Sequence, residues 1–420
     1  MRSKILQLLP AVFLAIGLLL ASFVHLHFIN QIPGKHGLRS INSDLLPRWV
    51  GIRAAFRGED PYSPAVLRNI QTAFYGRPLT LADRGVDIQG FWYPAYAAVI
   101  LSPFALLPWS AAPLAFLVVV PLLFIVALRL CIGAFESSRK VAWIATLSIT
   151  VSWPVMWALR LQQPTVLTAA FVFLAYFLIV RGHDIAAGLL LVASMIKPQL
   201  VAPLILWLLL WAVLQRRYRL LASFLCAMTA LLIPTEILIP NWFPHWIHSV
   251  AGYAENTGSA LPLIAAAGRI AGLVATTILV SLSASVLWRL RSSNPQSPQF
   301  GFAFSLLLAT ALCVTPTNLG MTYNQMLLAP AAVLLFWWKP ARNNARLVRR
   351  GMIGVFAWVF VAVLVSFAGD MLRPSNLWIK LPFENLLLPV AATVALLVQY
   401  WDALQTTSSV HRDEYVAAPA

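Results

Sequence analysis

The chain has 420 residues, 60% of them hydrophobic and only 10% charged. A soluble globular domain runs nearer about 45–50% apolar and about 25% charged, so the composition excludes that class and indicates a polytopic membrane protein. The net charge of +16 does not signal nucleic acid, because the basic residues stand in short groups between apolar runs, as cytoplasmic loops do under the positive-inside bias. The three cysteines, Cys131, Cys226 and Cys313, lie in or at the ends of apolar runs, and no pair has metal-ligand spacing.

Arg2 and Lys4 precede an apolar run that is too long for a signal-peptide core. An uncleaved first span over about 5–29 is expected, its start in the cytoplasm. The polar loop 30–90 is then extracytoplasmic. It carries Asp44, Arg48, Arg53, Asp60, Tyr62, Asp83 and Asp87 in a chain with only 14 acidic residues. Ser43-Asp44 reads as a helix N-cap, followed by an amphipathic helix to about Arg57, a Gly58 C-cap and an Asp60-Pro61 turn. Asp44 has two compatible readings: a helix cap, and a general base facing a cavity.

Phe91 to Tyr96 reads as an interfacial aromatic belt or as the lining of a lipid-substrate entrance. The stretch 92–107 is interrupted by Pro94 and Pro103. Treating it as a broken helix at the outer interface puts Arg139-Lys140, Arg181, Arg216–Arg219, Arg289–Arg291 and Arg342–Arg350 all inside. Spans follow at 110–131, 141–159, 163–181, 185–197, 199–214, 220–239, 261–288, 300–317, 325–338, 351–368 and 384–401. That makes an all-α polytopic protein of about 12 transmembrane helices. It reads as one membrane domain over 1–405, with interfacial helices in 30–108 and a polar tail at 406–420.

Several polar points fall on the outer side in this topology. Gln162-Gln163-Pro164 opens one span, where amides can hydrogen-bond sugar hydroxyls or cap. The short segments 185–197 and 199–214 meet at Lys197-Pro198, which places a lysine at membrane depth. Such a lysine is a site hypothesis by default and suits a phosphate, although snorkelling is the plainer account. His245, His248, Tyr253, Glu255 and Asn256 follow, but the two histidines have no third ligand at a diagnostic spacing, so no metal is expected. Thr315 to Gln325 is a polar break between two spans and contains Tyr323 and Asn324.

The ordered series resembles glycosyltransferase family 87, of the GT-C type, over about residues 40–330. Asp44 to Tyr62 is similar to that family's first-loop signature. Tyr93-Pro94 with Pro103 and Leu107-Pro108, Gln163, Gly188, Lys197-Pro198, Arg216–Arg219 and Pro316 with Tyr323 follow in the family's order. Ala95 replaces a second proline, Gln162 a glycine, Thr165 an asparagine and Asn324 an acidic residue or histidine.

The resemblance implies a GT-C glycosyltransferase fold in the cell membrane, with its active site on the extracytoplasmic face and no cofactor. It implies a polyprenyl-phosphate sugar donor, mannose in the first instance, and a lipid-linked or glycan acceptor. Asp44 would be the base, with Lys197 and Arg53 at the donor phosphate. Tyr62, Tyr93, Gln163, Asn256, Tyr323 and Asn324 would face substrate. A polyprenyl-phosphate arabinofuranose transferase and a lipid-sugar flippase are the alternatives. Against the flippase, the chain has one broken segment and no partner half, where a transporter is expected to show paired inverted repeats.

Overall fold

The computed structural model describes residues 43–83, 86–135, 138–317, 321–337, 350–352 and 388–401. The expected span at 5–29, nearly all of that at 351–368, the loop after it and the tail lie outside these residues.

The loop segment opens with α1 (Leu45–Phe56) and α2 (Pro64–Tyr75). Ser63 Oγ accepts the Val66 N–H at 3.3 Å and Pro64 fills the first turn, so α2 starts where its sequence dictates. α1 departs from the expected amphipathic helix. Leu45, Leu46, Arg48, Gly51, Ile52, Ala54 and Ala55 are all buried, because α1 is packed against both α2 and α3 (Ala97–Ala105). α3 has nine residues with Pro103 inside it. At 1.5 Å per residue it is roughly 13 Å long, well short of a bilayer core of about 30 Å.

The apolar helices come next. α4 (Ala112–Phe135) is followed by α5 (Arg139–Thr150) and α6 (Trp153–Arg160), a pair bent by 49°. Then come α7 (Thr165–Val180), α8 (Asp184–Ser194), α9 (Pro198–Leu214), α10 (Tyr218–Leu238) and α11 (Trp242–Thr257). α12 (Pro262–Ala267), α13 (Arg269–Arg289), α14 (Pro298–Cys313), α15 (Ala329–Trp337) and α16 (Leu388–Trp401) complete the series. No strand occurs among the described residues. α4, α10 and α13 are long and apolar enough to cross a membrane, and the bent pair would make a fourth. α10 exposes Leu225, Ile233 and Ile237, and α13 exposes Ile270, Val274 and Ile278. Continuous apolar surface on a long apolar helix is what lipid contact requires. The described residues are therefore those of a helical membrane protein. Helix length alone does not reach the expected count of about twelve, since α7, α8, α9, α14 and α16 are shorter.

The chain divides into two compact units. The first runs to Ile205 and takes in Ala212–Ser259; the second takes Leu206–Trp211 and the chain from Ala260 onward. In the second, Trp207 and Trp211 pack on Phe300 of the buried α14, with ring centroids 5.9 and 4.8 Å away. In the first, α7 and α8 form an antiparallel hairpin, flanked by α4 on one side and α10 on the other. Gly188 makes the α8–α10 approach possible: a Cβ there would lie 2.0 Å from Ser223 Oγ and 2.8 Å from the Leu220 carbonyl oxygen. The hairpin brings the start of α7 beside the end of α8, so Gln163 and Thr165 meet Lys197.

Candidate active site

The site is built where α1 meets the turn between α6 and α7. The Asp44 backbone N–H donates to the Leu161 carbonyl at 2.8 Å, and Ser43 Oγ donates to Gln162 Oε1. The Asp44 side chain makes no capping bond. It accepts from Gln163 Nε2 through Oδ2 instead, so of its two readings the capping one is set aside.

Gln162 has φ +56°, in the left-handed region. A residue with a Cβ occupies that region at a cost of roughly 1–2 kcal/mol, and glycine avoids it. The glutamine side chain offsets the strain: Oε1 holds Ser43, and Nε2 donates to the Pro113 carbonyl at 3.1 Å.

Gln163 is a bridge. Its Nε2 faces Asp44, and its Oε1 accepts from Lys197 Nζ at 3.1 Å. Charge dictates that orientation, since only the NH2 can donate to a carboxylate and only the oxygen can accept from an ammonium. Lys197 Nζ also donates to Thr165 Oγ1 at 2.6 Å. Both Gln163 and Lys197 are buried.

Tyr93 lies behind the bridge, its hydroxyl 3.5 Å from Gln163 Oε1. Two cations approach its ring. The Lys197 ammonium is 5.7 Å from the ring centroid and the Arg48 guanidinium 4.8 Å, and Arg48 Nη2 donates to the Tyr93 hydroxyl at 3.4 Å. Arg48 is as buried as Lys197, at 7% exposure each. Sequence reasoning gave Arg48 no role. The available signal was its place four residues after Asp44, on the same face of a helix.

The other expected residues are placed as follows. Arg53 turns to the end of α3, donating to the carbonyls of Ala105 at 2.9 Å and Leu107 at 3.2 Å, and its guanidinium lies 4.1 Å from the Trp49 ring centroid. That is the work of a helix C-cap, so the second cation beside Lys197 is Arg48. Tyr62 donates to the Tyr93 carbonyl at 2.6 Å and packs on Phe91, which positions Tyr93. Asn256 is exposed and donates to Gly252 in its own helix at 2.7 Å. Tyr323 and Asn324 are buried in the 3-10 helix Thr322–Leu328, within the second unit. Asp60 closes its turn by accepting from the Tyr62 N–H at 2.9 Å and pairs with His245 Nδ1 at 2.9 Å. No group of three or more His, Cys, Asp or Glu that could hold a metal occurs among the described residues.

A second carboxylate belongs to this cluster. Burial against the protein wall pushes Asp87 up to about 6, the nearby Asp44 charge adds to the rise, and Arg48 opposes it. Asp87 nonetheless keeps surface open to solvent, so it sits at the edge of the cluster rather than inside it. Tyr75 and Tyr253 are both raised, first by burial and then by the Asp87 charge.

The sequence profile described as glycosyltransferase family 87 matches residues 91–316, more than half of the chain. The match takes in Tyr93, Gln163 and Lys197 and starts after α1. Comparison with curated proteins and with solved structures gives no match.

Proposed function

The chain belongs to glycosyltransferase family 87, and from that premise we propose that it transfers a sugar from a polyprenyl-phosphate donor to an acceptor hydroxyl on the extracytoplasmic face of the cell membrane. Mannose is the sugar this reading expects, and arabinofuranose is the competing donor sugar. The acceptor is lipid-linked or a glycan.

The step is a single displacement. The acceptor hydroxyl gives its proton to Asp44. Its oxygen bonds to the anomeric carbon as the bond from that carbon to the phosphate oxygen breaks. The bonding electrons leave on the lipid phosphate, and the anomeric centre inverts. In this reading Lys197 and Arg48 neutralise the developing phosphate charge, since fixed cations in a dry setting stabilise such charge far better than water does. Tyr93 spaces the two cations, and Tyr62 holds Tyr93. Thr165 orients the ammonium.

One observation carries the reading: a single buried amide, Gln163, joins the carboxylate of Asp44 to the ammonium of Lys197. Base and phosphate partner are thereby held together, Asp44 from the start of α1 and Lys197 from the end of α8. The purified chain, assayed with polyprenyl-phosphate-mannose, should transfer mannose, and Asp44→Asn should lower the rate by about 100-fold or more, the usual scale for a general base. Wild-type turnover by Asp44→Asn would remove Asp44 from this role. Sugar-lipid flux in proteoliposomes with no transfer would favour the flippase.

A further inference from the structure

Asp87 and Tyr253 lie within electrostatic reach of Asp44, Trp92 packs on Tyr253, and none of the three has a part in the step above. Trp92 lies against the backbone of Gly90: a Cβ there would come within 2.5 Å of the indole, so the ring depends on that glycine for its seat. Tyr253, on α11, lies 5.0 Å from it with the planes 31° apart. α11 is tied to the same point, since Trp246 Nε1 donates to the Trp92 carbonyl at 3.2 Å. Both rings are half-buried. Asp87 is held from two sides. Tyr75 donates from its hydroxyl to the Asp87 carbonyl at 2.5 Å, and Gln89 Nε2 donates to Oδ2 at 2.6 Å. Neither Asp87 Oδ1 nor the Tyr253 hydroxyl has a hydrogen-bond partner among the described residues. Asp87 lies within electrostatic reach of Tyr253, and Asp44 of both.

A partly open aromatic pair beside a fixed, partly open carboxylate is the chemistry that recognises a pyranose. The sugar offers an apolar C–H face to the rings and a rim of hydroxyl donors to the carboxylate, whose charge-assisted hydrogen bonds are stronger than neutral ones. We propose that Asp87, Trp92 and Tyr253 form a sugar-binding subsite that seats the acceptor within electrostatic reach of the base. The role as acceptor subsite rests on the glycosyltransferase reading above; the binding of a sugar there does not.

The test uses the full chain in lipid nanodiscs and methyl α-D-mannopyranoside, methyl glucoside and methyl galactoside as soluble probes, with glycerol as the non-sugar control. Binding is followed by saturation-transfer NMR without donor. At least one glycoside should bind where glycerol does not, and Asp87→Asn and Trp92→Ala should each weaken it by about tenfold, the scale of one good polar or aromatic contact. Tyr253→Phe, which removes only a hydroxyl, should weaken it by roughly threefold, the scale of one neutral hydrogen bond. In transfer assays the same variants should raise the acceptor KM and leave the donor KM unchanged. Failure of all three glycosides to bind the wild type overturns the subsite. So does unchanged binding in Asp87→Asn and Tyr253→Phe protein that elutes like the wild type and melts no lower. If the wild type transfers no sugar while glycoside binding responds as stated, the transferase reading falls and the sugar site stands. If transfer proceeds and the acceptor KM ignores Asp87, the subsite falls and the transferase reading stands.

Discussion

Asp83 and Asp87 lie four residues apart in one loop, and their surroundings drive them in opposite directions. Asp83 takes both donors of the Arg77 guanidinium at 2.8 Å, along with the N–H and hydroxyl of Thr80, and these hold its carboxyl well below the usual range. Asp87 meets burial and the like charge of Asp44, and is pushed up to about 6. One carboxylate is spent on a turn. The other is left with unused capacity beside a candidate base. Proximity in sequence says little about function here; the sign of the neighbouring charge says a good deal.

The largest effect that can break this contrast is catalytic. Asp44→Asn should abolish nearly all transfer, by about 100-fold or more, whereas Asp83→Asn should leave the rate within about twofold, because its losses are those of a turn. A large rate loss from Asp83→Asn would merge the two regions. The next effect separates the arginines of α1. Arg48→Gln should raise the KM for a polyprenyl-phosphate sugar by roughly tenfold, with Arg48→Lys recovering part of it, since a buried charged contact is worth about that much. Arg53→Gln should instead lower the melting temperature and leave the donor KM alone. Equal donor KM values in the two variants would return Arg53 to the phosphate.

The smallest effect is on stability against pH, and its sign differs between the two carboxylates. The raised Asp87 binds its proton more tightly in the folded chain, so stability falls as pH rises from about 4 through about 6. Asp87→Asn should then melt above the wild type at pH 8, with the gap gone below about pH 4. The lowered Asp83 stabilises the fold above its ordinary value near 3.8 and loses that contribution in stronger acid. Asp83→Asn should melt below the wild type at pH 8, with the gap closing as acid is added. Thermal shifts of the same sign in both variants would sink the comparison.

Parts of this site were legible in the chain and parts were not. Gln163 and Lys197 could be found because each sits at a helix break, where a polar residue in an apolar chain stands out. Asp44 could be found by its place in an acidic loop. The resemblance points to Arg53 at the phosphate and passes over Arg48; α1 is buried on most sides, so its periodicity does not say which flank meets Tyr93 and which meets α3. Asp87 was named only as one acid among several, since its character comes from burial in the folded chain and then from the charge of Asp44, about forty residues away. Helix identity was readable from composition, but helix length was not: the stretch 141–159 is bent at Val151-Ser152, and 261–288 is interrupted at Gly268. Tyr323 and Asn324 form part of a second compact unit, which no local pattern announces.

The bonds from Ser43 and Asp44 to Leu161 and Gln162 have a mechanical consequence. They rivet the first turn of α1 to the corner from which α7 departs, by one backbone bond and one side-chain bond on successive residues. The candidate base is written into a loop, yet it inherits the stiffness of the helical hairpin. Swinging this segment aside as a lid to admit a large substrate would break both bonds, at a cost of about 1 kcal/mol each. The wall that carries the carboxylate is tied into the frame, so its movement is coupled to the corner at Gln162.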